Sequence, residues 1–168
     1  ITMNSGCYGT EISEILLSII VVDNLGQEKE LSKKEINFFY RGSDLPKNHI
    51  IISAKLKGEI ASKELIEKKQ QELIERKKNS QPSKIKTGGS TFKNLSDKKA
   101  WMLIKESGCH KFNVGDAKIS EKHCNFFVND GNAKASDIET LINKVKTEVQ
   151  KKTGIKLELE IKIIGDEK

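Results

Sequence analysis

Few side chains in this sequence are placed to do chemistry, and each stands in a short run that can be read in more than one way. Gly88-Gly89-Ser90 puts a hydroxyl behind two residues without a Cβ, so that backbone can approach a ligand closely. Taken alone, the same run describes a plain turn. Arg41 and Arg76 are the only arginines among 30 basic residues. A guanidinium fork grips a carboxylate through two parallel hydrogen bonds, which an ammonium cannot do. Where lysine serves nearly everywhere else, an arginine at 41 suits a site that needs the fork, although a surface ion pair is the simpler role. Near the carboxyl end, Glu158 and Glu160 share one face of an alternating stretch. Either could pair with Lys156 and Lys162 on a solvated face. Cys7, Cys109 and Cys124 are widely spaced with no Cys-x-x-Cys, so they read as free thiols and give no metal site and no disulfide framework. His49 and His110 stand in no motif.

These groups must be held by elements that the pattern outlines. The apolar, β-branched run 15–22 predicts a strand, 23–26 a turn, and the residues after it a return strand. Ser32 and Glu35 have the spacing of a capping box, which starts a short helix. Residues 49–57 predict another strand. Residues 62–78 predict a helix with Leu65, Ile66, Leu73 and Ile74 on one side and lysines on the other. Pro82 and Gly88-Gly89 mark 79–91 as the clearest boundary. Ser96 is expected to cap a helix over 97–107 that Gly108 ends. Residues 124–128 predict a strand and 129–132 a turn. Ser136 and Glu139 form a second box, opening a helix closed by Gly154. Alternation over 155–164 predicts a half-buried strand.

Composition fits an α+β chain able to bury a core: 168 residues, 36% hydrophobic and 32% charged. No apolar run approaches the roughly 20 residues of a membrane span. The sequence begins at Ile1, with its first Met at Met3 and no basic-then-apolar leader. Such a start in mid-pattern is expected of a fragment, and a cytoplasmic location is expected. The net charge of +6 is local, because residues 61–100 carry 11 basic groups against 5 acidic ones. Two arginines and 5% aromatics are poor material for base readout or stacking, so no nucleic acid is expected.

Five runs, in order, carry a resemblance: MNSGCYG (3–9), YRGS (40–43), GGSTFKN (88–94), SEKHCNFFVNDGNA (120–133) and LELEIKIIG (157–165). Together they resemble the UDP-N-acetylenolpyruvoylglucosamine reductase family, also called UDP-N-acetylmuramate dehydrogenases. The resemblance implies NADPH-driven, FAD-dependent reduction of UDP-N-acetylglucosamine enolpyruvate to UDP-N-acetylmuramate, for peptidoglycan. It also implies that the amino-terminal FAD-binding subdomain lies upstream. Residues 1–80 are then the second part of a flavin-binding α+β domain. Residues 81–154 form a smaller α+β substrate-binding domain, and 155–168 a closing strand with a catalytic carboxylate.

By resemblance, Ser90 is the proton donor, Arg41 the carboxylate clamp and Glu160 the carboxylate that orients the clamp or bonds the developing enol. Only the motif register favours Glu160 over Glu158. Asn4, Gly6, Tyr8 and Gly9 match the flavin loop. Tyr40 lines the pocket, Lys93 and Asn94 face substrate, and Lys122, His123 and Asn125 lie near the uridine diphosphate. Three features depart from the family's pattern. Leu95 replaces a usual proline, Asp116 stands where a second glycine is common, and the short link after 57 matches the subclass without a tyrosine-bearing insertion.

Overall fold

The structure is a computed structural model that describes residues 1–165. It is mixed helix and sheet and divides into two units, Ile1–Lys63 and Glu64–Lys168. By contacts the division falls at the first turn of the long lysine-rich helix, and the 79–91 stretch lies within the second unit.

In the first unit, β1 (Gly6–Cys7) and β2 (Thr10–Glu11) form a small hairpin, followed by one turn of helix, α1 (Ile12–Ile15). The main sheet is antiparallel, with β3 (Leu16–Val22) between β4 (Glu28–Ser32) and β7 (Ile50–Leu56). The branched side chains of β3 suit its central place, and Leu16, Ile19 and Val21 are buried with Ile36. Ser18 is also buried on β3, and its hydroxyl donates to Glu30 at 2.8 Å. Asp23 shapes the β3–β4 turn by accepting the Leu25 and Gln27 N–H groups at 2.8 and 2.9 Å. The Ser32–Glu35 box is present, around a short 3-10 turn at Lys33–Glu35. A second hairpin joins β5 (Phe38–Phe39) to β6 (Gly42–Ser43).

The second unit begins one residue into α2 (Lys63–Ser80), whose apolar side chains Leu65, Ile66, Leu73 and Ile74 remain exposed. An antiparallel sheet of order β8-β11-β10-β9 follows, from β8 (Lys86–Ser90), β9 (Asn113–Val114), β10 (Ala117–Ile119) and β11 (Phe126–Asn129). Two helices, α3 (Ala100–Glu106) and α4 (Ala135–Thr153), cover it. The core joins Phe92, Leu103, Ile104, Phe127, Leu141, Val145, Val149 and Leu157. Left-handed glycines at 108 and 154 end α3 and α4, with φ of 74° and 73°.

Three expectations differ from what forms. Helix α3 starts at Ala100 rather than after Ser96, because the Asn94 side-chain oxygen accepts the Ala100 N–H at 3.1 Å. The α4 cap is two residues earlier: Asp137, not Glu139, reaches back to the Lys134 N–H at 2.8 Å. The expected closing strand is instead irregular chain held by a single bridge, Phe92 to Leu159. Its alternation is nonetheless real, with Leu157 buried and Ile155, Leu159 and Ile161 packed partly against the core. Residues 166–168 of that segment lie outside the described residues. Asp116 fits beside a glycine: its carboxylate accepts the Asn132 N–H at 2.9 Å and stands 2.6 Å from where a Cβ on Gly131 would lie.

Candidate functional site

The residues singled out from sequence fall into two groups, one in each unit. In the first unit they surround the two hairpins. Asn4 is buried and fully engaged: its oxygen accepts the Ser13 N–H at 3.1 Å, and its amide donates to Glu11 at 2.7 Å and to the Phe39 carbonyl at 3.4 Å. The Ser43 hydroxyl donates to the Thr2 carbonyl at 2.9 Å. The Asn4–Phe39 and Ser43–Thr2 bonds tie residues 2–4 to the β5–β6 hairpin that carries Tyr40 and Arg41. The Arg41 guanidinium lies over the Tyr40 ring, 4.9 Å from its centroid. Asn4, Tyr8 and Arg41 all take left-handed φ, at 42°, 53° and 56°. Such backbone costs a non-glycine residue on the order of 1–3 kcal/mol and concentrates where a site demands it.

The glycines of this loop differ in purpose. A Cβ on Gly6 would meet Glu11 Cγ at 2.9 Å and the Thr10 carbonyl at 3.1 Å, so its own hairpin requires glycine. Gly9, at φ 89°, has nothing within 4 Å of that position and offers open backbone. Gly42 is required because the Phe39 ring fills the space a side chain would need.

In the second unit the chain from Ser90 to Asn94 is clamped between two neighbours. Ser90 ends β8 opposite Phe126. The Thr91 N–H donates to the Asn125 carbonyl at 2.8 Å, and the Lys93 N–H to the Glu158 carbonyl at 2.8 Å. The Glu160 N–H donates to the Thr91 carbonyl at 2.9 Å. Ser90 and Glu160 are thus brought onto adjacent, bonded segments. The two glutamates, equivalent by alternation, are distinguished here. Glu160 is half-buried, whereas the Glu158 side chain is 76% exposed and pairs with the Lys93 ammonium at 3.5 Å.

The β10–β11 loop supplies the remaining residues. Lys122 donates to the Lys78 carbonyl near the end of α2. His123 packs edge-on to Phe126 and Trp101, with centroids 4.8 and 6.5 Å away, and its Nδ1 accepts the Asn125 N–H at 3.2 Å. Burial pushes its pKa below the usual histidine value. Lys122 and His123 line a cavity of about 970 Å³, walled also by Trp101, Lys105, His110 and Phe112. Sequence reasoning missed those four. The available signal was the sole tryptophan, lying between the lysines at 99 and 105 on a short helix. Among the described residues, no group of three or more His, Cys, Asp or Glu side chains could hold a metal, and no helix is long and apolar enough to cross a membrane.

A profile of the UDP-N-acetylenolpyruvoylglucosamine reductase C-terminal domain matches residues 81–164, which contain Ser90, Glu160 and every cavity-lining residue named above. The chain belongs to the UDP-N-acetylenolpyruvoylglucosamine reductase family. Proteins named as this reductase resemble it along nearly its whole length. One from Wolbachia pipientis wMel is 47% identical over 167 residues, covering 98% of this chain and 56% of the relative. One from Pelagibacter ubique is 48% identical over 165 residues, covering 96% and 55%. The crystal structure of the reductase from Thermus caldophilus superposes with a TM-score of 0.83 at 35% identity, covering 96% of this chain and 57% of that one. The chain therefore spans about half the length of the reductases it matches.

Proposed function

We propose that this chain contributes the Ser90-bearing portion of an oxidoreductase that reduces UDP-N-acetylglucosamine enolpyruvate to UDP-N-acetylmuramate in the cytoplasm, for peptidoglycan synthesis. The carrying observation is the clamp that sets the Ser90 strand end against the Glu160 segment within the part matched by the family profile. In this reading a hydride adds to the methylene carbon of the enolpyruvyl ether, and the Ser90 hydroxyl gives a proton to the adjacent carbon. Charge developing on the substrate's carboxylate is held by the Arg41 fork. Glu160 hydrogen-bonds the developing enol. Tyr40 backs the guanidinium, while Lys93 and Asn94 line the substrate's path. The cavity beside Lys122 and His123 receives the uridine diphosphate, with Trp101 and Phe112 facing the base and Lys105 the phosphates.

When bound, FAD supplies the hydride, with NADPH as its source. The 3–9 loop fits such a group in part. Gly9 and the left-handed Tyr8 offer approachable backbone, while Asn4 and Gly6 are committed to holding the loop's shape. These 168 residues alone hold FAD weakly and are inactive in this reading. The full-length protein should purify yellow and oxidise NADPH only when the enolpyruvyl substrate is present. A colourless, correctly folded full-length protein would overturn the proposal.

A further inference from the structure

Asn125 was expected to touch the nucleotide, but its side chain is committed elsewhere. It is 2% exposed. Its oxygen accepts the Phe92 N–H at 2.9 Å, and its amide donates to the Phe92 carbonyl at 2.8 Å. A side-chain amide engaging both polar groups of one residue imitates a paired strand residue. It does so where regular pairing lapses, since the β8–β11 register shifts between Phe126 and Val128. Phe92 lies two residues beyond Ser90, between the two backbone bonds to the Glu158–Glu160 segment.

We infer that Asn125 is a positioning residue: its side-chain amide fixes the Ser90–Lys93 backbone and thereby the placement of Ser90 against Glu160. The inference rests on the proposed reductase reading. A small displacement of a proton donor costs far more in rate than in binding, on the order of a hundredfold per ångström. No other amino acid in its ionised or apolar form supplies both a donor and an acceptor at this reach. A neutral carboxyl does, because its O–H donates and its C=O accepts.

The test is Asn125→Asp in the full-length protein. As a carboxylate it keeps the bond from the Phe92 N–H but sets a second oxygen against the Phe92 carbonyl. Titratable groups on its own loop and on the segments bonded to it are Lys122, His123, Cys124, Lys93, Glu158 and Glu160. Burial and the facing carbonyl raise the introduced carboxyl's pKa. Turnover should therefore fall roughly tenfold to a hundredfold at pH 8 and recover toward the wild-type value as pH falls to about 6. Affinity for UDP, read from Trp101 fluorescence, should stay within about threefold across that range. Wild-type turnover at every pH, or a loss confined to UDP affinity, would overturn the inference. Hydrogen exchange in the wild-type protein gives a second measurement should the variant fail to fold. The Asn125 side-chain amide and the Phe92 N–H must both be protected, and rapid exchange of the Asn125 amide refutes the tie. Failure of the reductase reading itself shows separately, as absence of enolpyruvyl-dependent NADPH oxidation in the wild type.

Discussion

Replacing Leu157 with alanine should loosen the whole closing segment. Leu157 is buried to 1% against Phe92 and the α3–α4 core, while its neighbours Ile155, Leu159 and Ile161 are only partly covered. The change removes three carbons, worth about 2.4 kcal/mol at about 0.8 kcal/mol per buried methylene. A void that the surroundings fill incompletely adds about 1 kcal/mol. The expected loss is thus about 3 kcal/mol, or roughly 6–12 °C in Tm for a chain of this size. Urea unfolding followed by Trp101 fluorescence measures it, because Trp101 lies on α3 in the same unit. Leu157→Met, which conserves volume, should cost under about 1.5 kcal/mol. If Leu157→Ala costs less than about 0.5 kcal/mol, the segment is not anchored through this side chain, and the placement of Glu160 needs another explanation.

On the proposed reductase reading, Ser90→Ala in the full-length protein should reduce enolpyruvyl turnover roughly a hundredfold to ten-thousandfold while flavin reduction by NADPH continues, as stopped-flow absorbance would show. His123 should titrate below the ordinary histidine pKa in NMR, since burial disfavours its cation. Its folded pKa is depressed, so its contribution to stability is complete above about pH 6.5 and is lost as pH falls toward the folded value. His123→Gln should flatten that part of the stability profile. Native alkylation should label Cys7, which is exposed, well before Cys124 and Cys109. Burial raises both latter thiols, Cys109 to about 11, and mass spectrometry of the modified sites would reveal any other order.

Much of the architecture is legible where local pattern and tertiary demand agree. Strand β3, helix α4 and the glycines at 108 and 154 fall in this class. The strand β8 was illegible, because Lys-Thr-Gly-Gly-Ser has neither apolar alternation nor β-branching beyond Thr87. It becomes a strand only by pairing with β11. Helix caps were displaced because the donors at 134 and 100 found Asp137 and Asn94 rather than Glu139 and Ser96. At the site, period-two reasoning put Glu158 and Glu160 on one face. Bridging to Phe92 at a single point makes their burial unequal. The commitment of Asn125 depended on a partner 33 residues away, which spacing cannot reveal. Its one sequence trace is a lone amide inside the run Cys124–Val128, where a buried polar group must find a partner.

The contact between Asp116 in the β9–β10 turn and Gly131 in the β11–α4 turn imposes an order on how the two turns can change. With the carboxylate in place, any side chain at 131 must first displace it from the Asn132 N–H. With glycine at 116, that obstacle is gone. Substitutions at the two sites are therefore epistatic. While Asp116 is present, a side chain at 131 costs the carboxylate its bond to the Asn132 N–H; with glycine at 116 position 131 can vary without that cost.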